Sequence, residues 1–472
     1  MRKTKIVCTI GPASSDEKTF TAMCQAGLNV ARLNFSHGTH EEHAERIAMI
    51  KRVREKLKMP IAILLDTKGP EYRIKTFKKG SVTVADGATF IFTAEDVEGD
   101  ETRVSVSYKA LAEELAPGDR ILVNDGLVSF AVEEIKGPDI ICRTEIGGVL
   151  SDRKSMSFPN KTLKQPYLSA QDKADILFGI QHGVDFIACS FVSCRQDLVD
   201  VRKFIRANGC ANTDLIAKIE NQAGVDNIEE ICKESDGIMV ARGDMGVEIP
   251  FEELPAIQKR IITTCRKLGK RTITATEMLE SMIHNPRPTR AEISDVANAV
   301  YDGTSAIMLS GETAAGKYPV KTVETMARIA EKTEQNISYR KRFYNNEFII
   351  KNPVDAISHA TCGMAMDLDA KAIVVCSLSG MTARMVSRYR CPVDIVGLTA
   401  NERTWRKLAL SWGVTPVLGT LVTNLGDLFE EAKEAAVESF HLDVGDTLVV
   451  TGGIINGESG NTNLIKVETI EE

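Results

Sequence analysis

Strand and helix patterns alternate along most of this chain of 472 residues, and eight strand patterns belong to that alternation. Each is a short apolar run rich in β-branched residues, which is typical of a strand buried on both faces. The predicted strands are 4–10, 29–35, 61–66, 184–191, 213–220, 237–242, 272–276 and 305–311. Eight parallel strands with intervening helices are the signature of a closed (β/α)8 barrel, the TIM barrel. The sequence therefore predicts an α/β fold with this barrel over residues 1–70 and 166–340.

Two segments depart from the alternation. Residues 71–165 contain short alternating stretches separated by turn signals, which predict a small all-β domain inserted after the third barrel strand. An insertion at that end of a strand lies over the barrel mouth, where a lid belongs. Strand patterns at 372–376, 394–398 and 447–450 are separated by helical stretches, and they predict an open α/β domain over residues 345–472.

Charge and cysteine usage limit the partners and the location. The net charge of −7 gives no reason to expect nucleic acid. No apolar run approaches the length of a membrane span, and residues 1–7 enter a strand without the apolar segment of a signal peptide. The eleven cysteines show no CxxC pairing, which favours reduced thiols. We therefore expect a cytoplasmic protein with no nucleic-acid partner and no membrane partner.

Two of the buried strand patterns lead to charged side chains. Residues 215–220 end in Lys218-Ile219-Glu220, and residues 238–244 end at Asp244. Because residues i and i+2 of a strand point to the same face, Lys218 and Glu220 should project together. An ammonium and two carboxylates at adjacent strand ends make a divalent-metal site beside a cation, suited to a phosphoryl group or an enolate. The alternative is a Lys–Glu pair that only satisfies a buried charge.

Further motifs at strand ends complete a recognisable set. They are residues 34–38, 66–71 with Arg73, 218–220, 241–244, 278–283, 285–292 and 308–314. In this order they closely resemble the motifs of the pyruvate kinases, and the resemblance covers essentially the whole chain. It implies transfer of phosphate from phosphoenolpyruvate to ADP, followed by protonation of the enolate to pyruvate, as in the last step of glycolysis.

The resemblance also implies roles for the charged residues. Glu220 and Asp244 are expected to hold Mg²⁺ or Mn²⁺, and Lys218 to face the phosphoryl group in flight. Arg32 and Arg73 are expected to bind phosphate, of substrate and of nucleotide, because a planar guanidinium binds phosphate in a bidentate manner. For a lone arginine at a strand end, a surface salt bridge is the alternative.

The resemblance also implies substrate contacts for Gly243, Asp244 and Thr276. Gly243 and Asp244 stand where a strand turns into a helix, and amides at such an N-terminus suit the substrate carboxylate. Thr276 is expected near the enolate carbon, on a route that delivers the proton through water, because its own pKa does not suit a lone general acid. A structural threonine at a strand end is the alternative.

A potassium site is implied by the same resemblance. Its expected ligands are Asn34, Ser36, Asp66 and the carbonyl of Thr67, although Asn and Ser near a strand end are often only turn formers. In the family, an acidic residue at the position of Glu71 accompanies dependence on K⁺, so we expect K⁺ activation here.

The nucleotide contacts are less complete than the phosphate and metal sites. Asn34 and His37 are expected near the nucleotide, with a solvated loop histidine as the alternative for His37. Three positions depart from the family pattern, at Gln171, Asn124 and Glu277. Gln171 stands where the family commonly has a lysine near the ADP phosphates, which puts that contact in doubt.

A hydroxyl-rich segment of the C-terminal domain follows a strand and opens a helix. By resemblance it is the site of an activating sugar phosphate or AMP, and the expected contacts are Ser377, Leu378, Ser379, Gly380, Thr382 and Trp405, completed by Arg406 and the loop 452–460. A helix N-cap with a tight turn is the alternative. The family is typically tetrameric, so we expect a homotetramer.

Two other functions remain to be separated from this one. A Mg²⁺-dependent enolate lyase or aldolase on a related barrel would share the Glu–Asp metal pair, but it would need neither Lys218 facing a phosphate nor the lid. A metabolite-sensing protein without catalysis is the other, and the intact set Lys218, Glu220, Asp244, Arg73 and Thr276 argues against it.

Overall fold

The computed structural model describes residues 1–161, 163–345, 348–453 and 462–471. The chain begins with three strands and two helices that form the first part of the barrel. They are β1 (Lys5–Thr9), α1 (Glu17–Ala26), β2 (Val30–Asn34), α2 (His40–Leu57) and β3 (Ala62–Asp66). A capping box between Thr39 and Glu42 fixes the start of α2 just after the second strand.

The inserted segment is almost entirely β. Its elements are β4 (Tyr72–Arg73), β5 (Ser81–Val84), β6 (Thr89–Thr93), β7 (Arg103–Ser105), α3 (Leu111–Glu114), β8 (Arg120–Val123), β9 (Val128–Lys136), β10 (Asp139–Ile146), β11 (Gly148–Ser151) and β12 (Ser155–Ser157). Seven strands form one sheet in the order β4-β12-β8-β9-β10-β6-β7, and β11 pairs with β5. A separate apolar cluster, which contains Phe90, Phe92 and Phe130, fills this lid.

The barrel then resumes with five strands. The elements are α4 (Ala170–Gln181), β13 (Phe186–Cys189), α5 (Arg195–Ala207), β14 (Asp214–Ile219), α6 (Gln222–Asp226), α7 (Ile228–Glu234), β15 (Gly237–Ala241), α8 (Arg242–Glu248), α9 (Leu254–Lys267), β16 (Arg271–Ala275), α10 (Arg290–Asp302), β17 (Ala306–Leu309), α11 (Gly311–Ala314) and α12 (Pro319–Glu334). Two short 3-10 turns, Phe251–Glu253 and Glu280–Ile283, follow α8 and β16.

The C-terminal part is an open sheet covered by helices. Its elements are α13 (Tyr339–Asn345), α14 (Pro353–Asp367), β18 (Ala372–Cys376), α15 (Met381–Ser387), β19 (Asp394–Thr399), α16 (Glu402–Leu408), β20 (Val414–Leu418), α17 (Leu425–Phe440), β21 (Thr447–Gly453) and β22 (Thr462–Thr469). The strand order is β20-β19-β18-β21-β22, and only β22 runs antiparallel to its neighbour.

The eight barrel strands close in the order β1-β17-β16-β15-β14-β13-β3-β2, and all their pairings are parallel. This confirms the predicted fold class, and each barrel strand lies within its predicted range to within one residue. Because the strands are parallel, their C-terminal ends meet at one mouth. The residues at which one domain passes to the next stay predictions.

The lid reaches this mouth. A Cβ placed on Gly126, in the turn after β8, would lie 3.5 Å from Val247 of α8, which begins directly after β15. All eleven cysteines are free thiols. Across the described ranges, the helices are too short or too polar for any of them to span a bilayer.

Candidate active site

Lys218 lies at the centre of a buried charge cluster at the barrel mouth. It occupies the penultimate position of β14, and Glu220 follows the last residue of that strand, so their side chains share a face. The Lys218 Nζ is 2.9 Å from Oε1 of Glu220 and 3.1 Å from Oδ1 of Asp66, which ends β3. Two carboxylates from two strands therefore hold one ammonium.

Asp66 joins Lys218 to Arg32. Its Oδ2 accepts a hydrogen bond of 2.6 Å from Nε of Arg32, whose Nη1 donates to Oγ1 of Thr9 at 2.8 Å. Burial by itself would raise the pKa of Asp66, but the charges of Arg32 and Lys218 outweigh it and hold this pKa below its ordinary value. In the same way, burial opposes the charge of Lys218, and Asp66 and Glu220 outweigh it and raise the lysine pKa. Lys218 therefore stays charged at neutral pH.

The pKa of Glu220 shifts in the opposite direction to that of Asp66. Burial raises its pKa, Lys218 opposes this rise and Asp244 adds to it, and the net result is a pKa above the ordinary value. Its Oε2 accepts a 2.5 Å hydrogen bond from the amide of Phe191, while its buried Oε1 has an ion pair with Lys218 but no hydrogen bond from any described residue. Asp244 is exposed in the first turn of α8, near enough to repel the Glu220 charge. The pair of carboxylates is thus short of positive charge.

The turn after β16 is backbone-strained at Thr276. This β-branched residue has a φ of 70°, and Glu277 follows with a φ of 55°. A left-handed conformation is costly for such residues and persists where surrounding contacts fix it. Here Oγ1 of Thr276 accepts from the amide of Gly243 at 2.8 Å and donates to the carbonyl of Ala275 at 2.6 Å. These hydrogen bonds hold Thr276 in its strained conformation, and the one from Gly243 ties it to the start of α8.

Arg242 fixes the same turn from the other side. Its Nη2 donates to the Thr276 carbonyl at 2.6 Å, and its Nη1 pairs with Asp295 at 2.7 Å. In this arrangement the Gly243 amide, predicted to bind a substrate carboxylate, already donates to Thr276.

Ser190 was not among the predicted site residues, yet it contacts three of them. It follows β13, and its Oγ accepts a 2.7 Å hydrogen bond from Lys218. The same hydroxyl lies 2.7 Å from the carbonyl of Thr67 and 3.3 Å from Oδ1 of Asp66. The next residue, Phe191, has a φ of 55° and presents its amide to Glu220. The only sequence signal is a serine at the C-terminal end of a barrel strand.

The predicted potassium ligands lie around the ends of β2 and β3. Asn34 and Asp66 are direct neighbours in the pairing of these strands. Oδ1 of Asn34 accepts from the amide of the exposed Ser36 at 3.1 Å, and the Thr67 carbonyl accepts from Ser190. His37 is exposed, and its carbonyl is 2.9 Å from Nε2 of His43.

Arg73, a predicted phosphate ligand, makes its hydrogen bonds with Glu71 and with the lid rather than with the residues around Lys218. Its Nε donates to Glu71 at 2.8 Å and its Nη1 donates to the carbonyl of Arg153 at 2.7 Å. Glu71 also lies 3.4 Å from Nζ of Lys68. Arg73 is the second residue of the two-residue strand β4, so it belongs to the sheet of the lid.

The predicted effector residues surround the start of α15. The hydroxyls of Ser377 and Ser379 accept from the amides of Gly380 and Met381, as expected for a capped tight turn. Thr382 is buried, with its Oγ1 2.5 Å from that of Thr462.

Three other predicted effector residues already have polar partners within the chain. The Leu378 carbonyl accepts from Thr404, and the Trp405 indole donates to the carbonyl of Pro416 at 3.2 Å. Arg406 pairs with Asp185 of the barrel at 2.9 Å. Residues 454–460 of the predicted loop lie outside the described residues.

Comparison with known proteins identifies the family of this chain. A family model described as "Pyruvate kinase, barrel domain" matches residues 1–323, and one described as "Pyruvate kinase, alpha/beta domain" matches residues 355–468. The chain belongs to the pyruvate kinase family. It is therefore a phosphotransferase, and the resemblance drawn from its strand-end motifs is confirmed.

Relatives named pyruvate kinase match over the full length of this chain. The one from Clostridium acetobutylicum is 46% identical over 476 residues, which cover 100% of both chains. The one from Geobacillus stearothermophilus is 46% identical over 477 residues, covering 100% of this chain and 81% of the relative. The crystal structure of a pyruvate kinase from Cryptosporidium parvum superposes with a TM-score of 0.94 at 35% identity, covering 99% of this chain and 96% of that one.

Ser190→Ala should lower kcat about tenfold, because Lys218 loses the hydroxyl that orients it while both of its carboxylate partners remain. KM should change less than kcat if Ser190 acts by positioning Lys218. Steady-state kinetics measures both constants.

Ser235→Ala is the matched control, since Ser235 is an equally buried serine just before β15, at the opposite end of the barrel. An equal loss of activity in both variants would show that Ser190 matters only for stability.

Proposed function

We propose that this chain transfers the phosphoryl group of phosphoenolpyruvate to ADP and yields pyruvate and ATP, as the last step of glycolysis. The observation that carries the proposal is the buried ammonium of Lys218, held between Asp66 and Glu220 at the barrel mouth with Asp244 beside them. Phosphoryl transfer needs positioning and charge neutralisation more than covalent chemistry from the protein. This cluster supplies both.

Lys218 and Arg32 would act on the transferring group. Lys218 remains protonated because Asp66 and Glu220 raise its pKa, so it offers a fixed positive charge to the oxygens of the phosphoryl group. Asp66 and Thr9 hold Nε and Nη1 of Arg32, which leaves Nη2 without a hydrogen-bond partner in the part of the chain described. That group can bind a phosphate oxygen. Arg73 would bind phosphate after leaving Glu71, so its role needs a movement of the lid.

Thr276 would act where the enolate is protonated. Its hydroxyl donates to the Ala275 carbonyl and accepts from Gly243, so the side chain has a fixed orientation. A threonine hydroxyl is too weak an acid to protonate the enolate alone. We therefore place Thr276 beside a water that delivers the proton, while the first turn of α8 lies against the substrate carboxylate.

Glu220 and Asp244 fit a divalent cation. The fit rests on the buried Oε1 of Glu220, whose described partner is the Lys218 ammonium at 2.9 Å, and on the exposed Asp244, which forms no ion pair in the described ranges. No cluster of three or more His, Cys, Asp and Glu ligands occurs among the residues that the structure describes. Two carboxylates suit Mg²⁺ or Mn²⁺, because such ions keep positions for substrate oxygens and water. When bound, the ion would neutralise charge on the phosphoryl group.

A monovalent cation fits the oxygens around the ends of β2 and β3. Asn34, Ser36, Asp66 and the Thr67 carbonyl offer oxygen donors only, and the Asp66 carboxylate is already partly neutralised by Arg32 and Lys218. A donor set of low net charge suits K⁺. Ser190 forms hydrogen bonds with both the Thr67 carbonyl and Lys218, so it would connect an ion bound at this place to the catalytic ammonium.

Replacement of K⁺ by tetramethylammonium should lower the initial rate about tenfold, which corresponds to roughly 1.4 kcal/mol of transition-state stabilisation. Glu71→Lys should make the remaining rate independent of K⁺, because an ammonium would supply the missing charge. Initial rates at constant ionic strength measure both effects. Undiminished activity of the unaltered chain in tetramethylammonium would contradict the potassium site.

Activation by a sugar phosphate or AMP is proposed for the hydroxyls at the start of α15. Ser379→Ala should reduce the activation ratio, because the exposed Ser379 would lose its contact with the effector phosphate. Rates with and without fructose 1,6-bisphosphate, glucose 6-phosphate or AMP measure this ratio. The exposed Ser338 provides the control as Ser338→Ala. Full activation of Ser379→Ala would place the effector elsewhere.

The direct test of the function is an assay with phosphoenolpyruvate, ADP and Mg²⁺, in which lactate dehydrogenase reports pyruvate. Turnover that requires all three supports the proposal and excludes a lyase or aldolase. Binding of phosphoenolpyruvate without turnover would instead indicate a sensing protein. The homotetramer, the cytoplasmic location and the domain limits 1–70 with 166–340, 71–165 and 345–472 are proposed alongside it.

A further inference from the structure

A second cationic site lies at the end of the barrel opposite to Lys218. A small cavity, partly open to solvent, separates the N-terminal end of β16 from α15 and the turn after it. Five cationic side chains line it, namely Lys270, Arg271, Arg384, Arg388 and Arg390. The first two belong to the barrel and the other three to the C-terminal domain.

The carboxylates around the cavity do not balance these charges. Asp214 is shared, since Arg271 and Lys407 each lie 2.7 Å from it and Arg384 lies 3.9 Å away. Asp236 faces Arg384 at 3.7 Å but also pairs with Arg202. Asp355 pairs with Arg388 at 3.1 Å.

Two of the lining cations form hydrogen bonds only with neutral groups in the described ranges, while Asp236 attracts Lys270 and Glu334 attracts Arg390 from farther away. Lys270 donates to the Ser235 carbonyl at 2.6 Å, and Arg390 donates to the Gly303 carbonyl and to Oγ of Ser305, both at 3.0 Å. Positive charge is therefore in excess on both sides of the cavity.

Hydrogen-bond donors are also in excess. The Nε atoms of Arg384, Arg388 and Arg390 are buried and meet no acceptor in the residues described. The side chains of Arg388 and Arg390 are themselves more than nine-tenths buried. Buried polar groups are nearly always satisfied, so three orphaned guanidinium donors beside one cavity indicate a missing acceptor.

Aromatic rings within the chain partly offset the cost of burying these arginine charges. Arg390 stacks on Trp412 with 4.8 Å to the ring centre, and Arg388 stacks on Tyr389 at 4.7 Å. Cation–π contacts contribute charge stabilisation but satisfy no N–H donor. Burial, with repulsion from Arg266, lowers the pKa of Arg390 to about 9, and burial lowers that of Lys270. The cluster remains costly unless an anion enters it.

We infer that this cavity binds a phosphate-type oxyanion and thereby joins the barrel to the C-terminal domain. A tetrahedral dianion offers several acceptor oxygens, and planar guanidinium groups recognise them in a fixed geometry. The source is either free inorganic phosphate or the phosphate of a small monoester. The site is distinct from the proposed effector contacts, which lie at the opposite end of α15.

The test is the binding of sodium phosphate to the full chain, measured by calorimetry at an ionic strength held constant with sodium chloride. Lys270→Met and Arg384→Met each remove one lining cation near the edge of the cavity, where neither is fully buried. Each should weaken phosphate binding about tenfold, equivalent to about 1.4 kcal/mol. Lys433→Met removes a half-buried lysine of α17 that pairs with Glu430, and this variant should bind phosphate as the unaltered chain does.

The comparison isolates this cavity, because the catalytic mouth is the same in all variants and any phosphate bound there contributes equally. Lys270→Arg keeps the charge and should retain binding, which separates loss of charge from loss of fold. Equal phosphate affinity in the unaltered chain and both methionine variants would overturn the inference.

Crystals of the full chain grown with selenate, an anomalous scatterer of the same shape, should show a peak between Lys270 and Arg390. Absence of that peak would also overturn the inference. Glycerol 3-phosphate distinguishes the two sources of the phosphoryl group. If it binds more tightly than phosphate and loses affinity in the same variants, the ligand is a monoester. If only phosphate shows this dependence, the ligand is the free ion.

Discussion

Lys218→Met should lower kcat by about three orders of magnitude. The ammonium is the positive charge that Asp66 and Glu220 hold at the barrel mouth, and its loss removes stabilisation that develops as the phosphoryl group transfers. KM for phosphoenolpyruvate should rise less than kcat falls, since Arg32 and the metal pair remain. The lactate dehydrogenase-coupled assay measures both constants.

The same substitution should also reduce stability, because it leaves two buried carboxylates without their shared partner. The loss should stay below the 3–5 kcal/mol that is typical when one partner of a buried pair is removed. Asp66 keeps Arg32, and Glu220 takes up a proton readily because burial has already raised its pKa.

Thermal unfolding followed by circular dichroism separates this effect from catalysis. Lys203→Met, at an exposed lysine of α5, should change neither rate nor stability. A folded Lys218→Met protein that retains a tenth of the normal kcat would contradict the assigned role.

Asp244→Asn should lower activity at fixed Mg²⁺ about 100-fold and raise the Mg²⁺ concentration needed for half-maximal rate. Removal of one of two carboxylates weakens the hold on the ion and the charge neutralisation that it supplies. Asp244 is exposed and forms no ion pair in the part of the chain described, so stability should change by less than about 0.5 kcal/mol.

Binding of Mn²⁺ followed by electron paramagnetic resonance measures metal affinity without turnover. It should fall in Asp244→Asn and remain unchanged in Asp226→Asn, a control at an exposed carboxylate of α6. Unaltered Mn²⁺ affinity with normal activity would show that Glu220 holds the metal without Asp244.

The barrel could be predicted from sequence because each of its strands is buried on both faces. Such strands are continuous apolar runs, and eight of them in alternation with helices are compatible with few folds other than the closed barrel. The pairing of Lys218 with Glu220 could be predicted for an equally local reason, since residues two apart in a strand share a face.

Ser190 could not be predicted in this way. It contacts Lys218 across 28 positions of sequence and Thr67 across 123, and a serine after a strand has no distinctive pattern. The strain at Thr276 is equally hidden, because a β-branched residue predicts extended backbone rather than a positive φ. Arg73 shows the converse, since its motif implies phosphate binding while the structure gives it Glu71 as partner.

The sequence by itself determined the order of strands and helices, the family, and the residue types that can hold a metal and a phosphate. Those features depend on periodicity and on short motifs, and each of these signals lies within a single continuous segment of the sequence. Only the tertiary structure decided that Asp66 binds Arg32 and Lys218 at once, and that five cations meet beneath the barrel. Such contacts join segments far apart in sequence, and their energies depend on burial and on distances that exist only after the barrel has closed.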